Sequence, residues 1–205
     1  MKRSWLLGLG CLGALVVVAL ILVSMSMGQY NRLVGLQENV QSQWGQVENV
    51  YQRRADLIPN LVATVKGSAA FEQETLRQVV EARSRVGQVT TQAGADIVDD
   101  PQRFRQFQEA QDQLSSALSR LLVVVERYPE LRSTQAFRDL MPALEGAENR
   151  IAVERRRYNE VARDFNAARR RVPTAWFVSL LGWDFPEKAY FEAQPGSEEV
   201  PKVEF

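Results

Sequence analysis

The chain has 205 residues, carries 25 basic and 25 acidic side chains, and contains no histidine and a single cysteine. This charge balance argues against binding nucleic acid through bulk charge. The composition also excludes a Ser-His-Asp triad, the most common zinc ligand and an internal disulfide. We therefore expect no metal or other cofactor and one domain with appendages.

The first element is an uncharged apolar stretch, WLLGLGCLGALVVVALILV, over residues 5–23. As a helix it would span about 28 Å, close to the ~30 Å hydrocarbon core of a bilayer. The alternative is a signal peptide cleaved near Ser24 or Ser26, but its apolar region would be shorter, about 7–15 residues. Residues 1–28 are therefore predicted to be a cytoplasmic stub and an uncleaved transmembrane anchor.

The charges that flank this anchor favour one orientation. Lys2 and Arg3 precede it, whereas Arg32 is the basic residue that closely follows it. Positive flanks tend to stay in the cytoplasm. This small bias favours an extracytoplasmic domain attached to the cell membrane by a single pass.

Four amphipathic helices are predicted after the anchor, over about 30–67, 69–90, 101–127 and 134–171, because apolar residues recur at steps of three and four. The third has the most regular heptad pattern, typical of a coiled coil. Asp100 and Pro101 are suited to begin it, and Ser133 or Thr134 can cap the fourth. Residues 90–101 are rich in turn formers and are predicted to be a loop.

Two prolines fall inside predicted helices. Pro59 removes the amide that would bond to the carbonyl of Ala55, so we expect a bend near residues 55–59 and a freed carbonyl that a guanidinium could reach. Pro142 is expected to bend the fourth helix near its start.

The predicted fold is all-α, an elongated antiparallel up-down four-helix bundle over residues 29–172, because no segment shows strand-type alternation and the loops are short. The first and fourth helices are the longest. Their membrane-proximal ends are expected to form a two-helix stalk, with Tyr30-Asn31 and Tyr158-Asn159 in or near it. Phe165-Asn166 repeats the second pair one heptad later.

Residues 173–205 form a tail that begins with PTAWFVSLLGW. This apolar run is too short to span a bilayer, but Trp176, Phe177 and Trp183 suit the lipid–water interface. Arg169, Arg170 and Arg171 would lie near the same surface and attract anionic headgroups. The alternatives are a tail folded onto the bundle and a solvated face of Glu–Arg pairs.

Two polar side chains, Arg54 and Gln111, fall on apolar stripes. A polar group at such a position costs several kcal/mol (~2–7) unless it finds a partner. We expect Arg54 to pair with a carboxylate from a neighbouring helix, with the fourth favoured.

Several stretches resemble the LemA family: YNRLV (30–34), RRADLIPNLVATVKG (53–67), ENRIAVERRRYNEVARDFN (148–166) and AYFEAQPG (189–196). The resemblance implies a bacterial membrane protein with an amino-terminal transmembrane helix and an antiparallel helical bundle. It implies no enzymatic activity or cofactor, and some relatives are implicated in organising internal membranes. The residues that carry the family motifs are Tyr30, Asn31, Arg53, Arg54, Asp56, Pro59, Asn60, Asn149, Arg150, Tyr158, Asn159 and Asn166.

The remaining motifs do not indicate an enzyme. The acidic pairs Glu72/Glu74 and Asp99/Asp100 suit a helix start and a helix cap, and no phosphate-binding glycine loop or GxSxG motif is present. We therefore expect a non-catalytic scaffold or interaction platform for membrane proteins or for self-assembly, held to lipid by its anchor. The alternative is membrane organisation or remodelling through the stalk and aromatic tail, and an enzyme is the distant third.

Overall fold

The computed structural model describes residues 2–66, 72–94 and 96–192, and within these ranges all regular structure is helical. The six α-helices found there are α1 Lys2–Lys66, α2 Gln73–Ala93, α3 Pro101–Val125, α4 Pro129–Arg132, α5 Gln135–Arg170 and α6 Thr174–Leu181. A 3-10 helix at Ile97–Asp99 lies between α2 and α3. The all-helical prediction is confirmed for this part of the chain. The 3-10 helix, α4 and α6 were not predicted, and α2 extends into the predicted loop.

The apolar amino-terminal stretch and the first domain helix are one continuous helix. α1 contains 65 residues and would measure about 100 Å at ~1.5 Å per residue. It passes residue 28, where the sequence suggested a boundary, because a single glycine weakens a helix by only about 1 kcal/mol. Within the described ranges it is also the one helix long and apolar enough to cross a membrane.

Two pairs of long helices pack antiparallel. Along α1 and α5, hydrogen bonds join Gln43 to Glu154 at 2.6 Å and Arg54 to Glu148 at 2.7 Å, so residue numbers rise in one helix as they fall in the other. Arg85 of α2 donates to Gln113 of α3, and Glu72, just before α2, pairs with Arg127, just after α3. These side-chain bonds set the register of each pair.

The buried apolar residues form two clusters along the length of the molecule. The proximal core lies toward the apolar end of α1 and consists of Leu33, Val40, Trp44, Val47, Tyr51, Ile97, Val98, Phe104, Phe107, Ile151, Tyr158, Ala162, Phe165, Ala168, Phe185 and Phe191. The distal core consists of Ile58, Leu61, Val65, Val79, Val86, Ala110, Leu114, Ala117, Leu118, Leu121, Val124, Val125, Leu131, Phe137, Leu140 and Leu144. The distal core therefore contains residues of α1, α2, α3 and α5, with Leu131 of α4.

Tyr158 was expected in or near a two-helix stalk, which is wrong at its level because α3 and the tail also pack there. Its ring packs 5.6 Å from Trp44 of α1, 5.8 Å from Phe104 of α3 and 5.5 Å from Phe191 of the tail. Since α3 and the tail both reach this level, Tyr158 is fully buried in the proximal core.

Local sequence signals explain where two helices begin. The carboxylate of Asp100 accepts hydrogen bonds from the amides of Gln102 (2.9 Å) and Arg103 (3.2 Å), which begins α3. Thr134, rather than Ser133, accepts from the amide of Phe137 at the start of α5. Both cap predictions are confirmed, because a cap depends on neighbours within one turn.

Neither Pro59 nor Pro142 ends its helix. Pro59 is exposed, and the carbonyl of Ala55, which lacks its usual helical donor, accepts a hydrogen bond from Nε of Arg83 at 3.3 Å. The expected guanidinium contact is present, and the guanidinium that makes it comes from α2. The contact ties α2 to α1 at the proline.

Replacing Pro59 by alanine should stabilise the protein, because proline is about 3 kcal/mol less favourable than alanine inside a helix. We expect Pro59→Ala to raise the free energy of unfolding by roughly 1–3 kcal/mol, measured by urea unfolding of the detergent-solubilised chain. Arg83→Ala should lower the free energy of unfolding less in the Pro59→Ala background than in the original chain. The reason is that the amide of residue 59 then donates to the Ala55 carbonyl. Equal costs in both backgrounds would contradict this account.

Candidate functional site

A polar layer separates the two hydrophobic cores, and Arg54 lies at its centre. The side chain of Arg54 is only 1% exposed. Its Nη1 donates to Ser115 Oγ at 2.6 Å and to Glu148 Oε1 at 2.7 Å, and its Nη2 donates to Gln111 Oε1 at 2.5 Å. We call Arg54, Gln111, Ser115 and Glu148 the arginine layer.

The arginine layer ties three helices together. Its acceptors come from α3 and α5, while the cation comes from α1. The predicted pairing of Arg54 with a carboxylate of the long fourth helix, here α5, is present, and Gln111 meets Arg54 instead of an apolar side chain. A buried cation requires such partners because its desolvation is costly.

A second arginine, Arg155, extends this polar region toward the proximal core. Its Nη2 lies 3.0 Å from the carboxylate of Asp112, its Nε donates to the hydroxyl of Tyr51, and its guanidinium lies 4.9 Å from the centre of the Phe191 ring. Burial raises the pKa of Tyr51, although Arg155 opposes this effect. Burial alone would lower the pKa of Arg155, but Tyr51 and Asp112 together raise it.

Arg155 lies in the charged stretch ERRRY (154–158), a pattern typical of a solvated helix face, although its spacing points inward. Arg155 lies four residues after Ile151 and three before Tyr158, which is the spacing of the buried stripe. A basic residue in a charged run is usually solvated, so the exposed neighbours Arg156 and Arg157 made a buried role for Arg155 hard to predict. Only the approach of Asp112 from α3 makes an arginine suitable there.

The tail after α6 folds back along α5 in an extended conformation. We call residues 183–192 the strap. Three side-chain amides each bind both the amide and the carbonyl of one strap residue: Asn159 binds Phe191, Asn166 binds Lys188, and Gln108 of α3 binds Glu192. The six bonds measure 2.9–3.1 Å. They satisfy backbone groups that have no partner strand.

The heptad spacing of the two asparagines matches the geometry of the strap. Seven helical residues, from Asn159 to Asn166, rise about 10.5 Å, and three extended residues, from Phe191 to Lys188, span about 10 Å. A strap antiparallel to α5 therefore meets an asparagine at each of these two positions. The repeat of an aromatic–asparagine pair was visible in the sequence, but its partner was not.

Lys188 is a further buried cation that sequence analysis did not identify. It is 2% exposed, its ammonium pairs with the carboxylate of Asp99, and it lies 4.8 Å from the centre of the Phe165 ring. Asp99 thus contacts the strap, while its neighbour Asp100 caps α3. Tyr158 donates its hydroxyl to the carbonyl of Ala189 at 3.0 Å, and burial, with a contribution from Asp99, raises the pKa of Tyr158.

Most other family-motif residues face outward, and Arg54 is the buried charged residue of its block. Asp56 accepts a hydrogen bond from Gln52 at 2.7 Å. Tyr30, also exposed, contacts the ring of Trp183 at 5.2 Å. The remaining exposed residues of the motif set are Asn31, Arg53, Pro59, Asn60, Asn149 and Arg150.

The residues predicted to lie at a membrane surface divide into two groups. Arg169 contacts the strap, because its Nε donates to the carbonyl of Phe185. Trp183 is partly buried against Tyr30 and Phe185, and Phe177 stacks on Trp183 at 5.9 Å. The outward-facing group consists of Trp176, Arg170 and Arg171.

A model of the LemA family matches residues 43–205 of the chain. Similar proteins include magnetosome protein MamQ 2 of Paramagnetospirillum magneticum, 27% identical over 94% of this chain and 76% of its own length. Magnetosome protein MamQ of Magnetospirillum gryphiswaldense is 27% identical over 83% of this chain and 67% of its own length. Protein LemA of Metamycoplasma hominis is 22% identical over 73% of this chain and 62% of its own length.

Removing the guanidinium of Arg54 should destabilise the fold strongly. Arg54→Ala leaves a cavity and leaves Gln111 and Ser115 without their donor, so we expect a loss of about 2–5 kcal/mol in the free energy of unfolding. The adjacent exposed Arg53→Ala should change it by less than about 0.5 kcal/mol. Chemical unfolding followed by circular dichroism measures both, and similar losses for the two variants would refute the arginine layer.

Removing one amide clamp should release the strap and leave the helices intact. Asn166→Ala leaves the amide and carbonyl of Lys188 without their side-chain partner, and hydrogen exchange of residues 183–192, followed by mass spectrometry, should become at least several-fold faster. Asn149→Ala, an exposed position on the same helix, is the matched control. Unchanged exchange in Asn166→Ala would show that the clamp does not hold the strap.

Proposed function

Because this chain belongs to the LemA family, we propose that it is a single-pass membrane protein whose helical domain is a non-catalytic scaffold for membrane proteins or for copies of itself. We further propose that α1, α2, α3 and α5 form an elongated antiparallel up-down four-helix bundle. The two antiparallel helix pairs and a distal core with members from all four helices support this arrangement.

The observation that carries the proposal is the continuity of α1. A single helix contains both the apolar stretch and residues that pack in the hydrophobic core of the domain. Because no loop intervenes, the domain cannot turn freely about its anchor. A domain held at a set position above a bilayer is suited to arranging other proteins there.

We propose that the protein lies in the bacterial inner membrane, with the domain on the extracytoplasmic side. Support for the membrane comes from the exposed apolar part of α1. Support for the orientation comes from Lys2 and Arg3, which precede the span and favour a cytoplasmic amino terminus.

A groove lined by α1, α3 and α5 is our candidate contact surface for a protein partner. Its volume is about 390 Å³, and apolar side chains share it with polar ones: Leu61, Ser115, Leu118, Ser119, Leu122, Met141, Leu144, Glu145, Glu148 and Asn149. An apolar floor with a polar rim is typical of a helix-binding groove. The groove adjoins the arginine layer through Ser115 and Glu148.

Membrane organisation is the second candidate function. The relatives named as magnetosome proteins favour it, as does the exposed apolar face of α6. In this case the scaffold would act on the bilayer itself as well as on proteins in it.

Photo-crosslinking in intact cells can separate these functions. A benzoyl-phenylalanine at position 122, in the groove, should give a protein adduct, and the same residue at the exposed position 80 of α2 is the control. An adduct of twice the chain mass indicates self-assembly, and any other mass indicates a different protein. Adding Met141→Arg should abolish the adduct. If position 122 yields no more protein adduct than position 80, the scaffold proposal is wrong for this surface.

A further inference from the structure

α6 is apolar on both of its faces. Its inner face carries Phe177 and Val178, which are partly buried, and Val178 packs on the proximal core. Its outer face carries Trp176 and Leu180, which are 66% and 81% exposed. A short helix that is hydrophobic all round normally has both sides covered, so the outer face needs an occupant beyond the described chain.

The outer face is larger than α6 alone. Val172, just before the helix, and Leu181, at its end, are also exposed. Trp176 and Leu180 are four residues apart on α6, so they lie in one row, and Val172 adds exposed apolar surface just before the helix. Contiguous exposed apolar surface of this kind marks a binding site for protein or lipid.

The position of α6 identifies lipid as the occupant. Thr174 donates to the side chain of Gln29 at 2.9 Å, and Trp183 contacts Tyr30. These two α1 residues come directly after the apolar stretch, whose exposed side chains continue to Met27. α6 therefore lies within about one helical turn, ~5 Å, of the part of α1 that is suited to lipid.

The charges beside α6 fit phosphate headgroups. Arg171 is exposed and makes no ion pair or side-chain hydrogen bond among the described residues, and Arg170 reaches Glu187 only at 3.9 Å. The exposed Asp184 and Glu187 lie in the strap, beyond the end of α6. Guanidinium groups bind phosphate oxygens well, and tryptophan favours the boundary between headgroups and acyl chains.

We propose that Val172, Trp176, Leu180 and Leu181 enter the surface layer of the bilayer that α1 crosses, and that Arg171 binds a lipid phosphate there. This inference rests on the membrane placement proposed above. It gives the domain a second point of attachment, which sets its tilt and rotation relative to the membrane. The partner is an anionic lipid surface.

The end of α6 is suited to this arrangement. Gly182 has a φ of 63° and ends the helix in the left-handed conformation, which glycine adopts without steric cost. The chain then turns back and continues as the strap along α5. A helix at the membrane surface is thereby connected directly to a segment that is clamped to the domain.

Fluorescence of the full-length protein in lipid nanodiscs tests the proposal. In a Cys11→Ser background, an environment-sensitive nitrobenzoxadiazole label is attached to Leu180→Cys or, as the control, to Val123→Cys on α3, where Val123 is 63% exposed. We expect nitroxide-bearing lipids to quench the label at position 180 several-fold more than the label at 123. Aqueous iodide should show the opposite preference.

The lipid dependence tests the role of the arginine. In nanodiscs with increasing phosphatidylglycerol, quenching at position 180 by the nitroxide lipid should increase, and Arg171→Gln should weaken this dependence. Arg150→Gln, an exposed site on α5 away from this end, should leave it unchanged. A dependence that is the same in Arg171→Gln as in the original chain would overturn the assignment of Arg171.

Two outcomes would overturn the lipid contact itself. Equal iodide quenching at positions 180 and 123 would mean that the face stays in water. A label at 180 shielded from both quenchers, in particles that contain two chains, would mean that a second copy covers the face. Resistance of the same samples to carbonate extraction reports separately on the anchor, so failure of the membrane placement is distinguished from failure of the α6 contact.

Discussion

The structure depends on one buried cation, the guanidinium of Arg54. An unpaired buried charge would cost more than most single interactions can return, so the acceptors of α3 and α5 must approach the α1 helix at this level. The planar guanidinium donates in defined directions, and it therefore restricts the relative height of the three helices. Apolar contacts in the cores above and below could tolerate a sliding displacement more easily, because they have no directional requirement. The arginine layer thus sets the register in which both cores pack.

The strap extends the same principle to the backbone. An extended segment exposes amides and carbonyls that need partners, and here amide side chains of α3 and α5 take the place of a neighbouring strand. Each clamp side chain both donates and accepts, because the amide group of asparagine or glutamine carries an NH2 donor and a carbonyl acceptor. The aromatic rings of the proximal core pack beneath the strap, with Phe104 and Phe191 only 4.7 Å apart. The strap is therefore part of the core, and it holds α6 beside Gln29 and Tyr30, at the end of the apolar stretch of α1.

The local and non-local features differed in how well they could be predicted. Helix periodicity and the caps at Asp100 and Thr134 were predictable because each depends on residues within one or two turns. The need of Arg54 for a partner was also predictable, because its position on an apolar stripe was local information. Arg155, Lys188 and Gln108 were missed, since their roles depend on Tyr51 and Asp112, on Asp99, and on the backbone of Glu192. The expected stalk at Tyr158 was wrong for the same reason, because helix lengths alone did not reveal that α3 and the strap reach that level.

The sequence by itself determined that the described chain is helical, that its first segment is apolar enough to cross a membrane, and that the protein belongs with LemA-like proteins. These properties follow from composition, periodicity and contiguous motifs, which act over short distances along the chain. Only the tertiary structure decided that Asn159 and Asn166 clamp the strap, that Arg54 joins three helices, and that α6 has one covered and one exposed apolar face. The physical reason is that these features arise where segments distant in sequence satisfy each other's hydrogen bonds or bury each other's surface, and the spacing within one segment does not specify its partner.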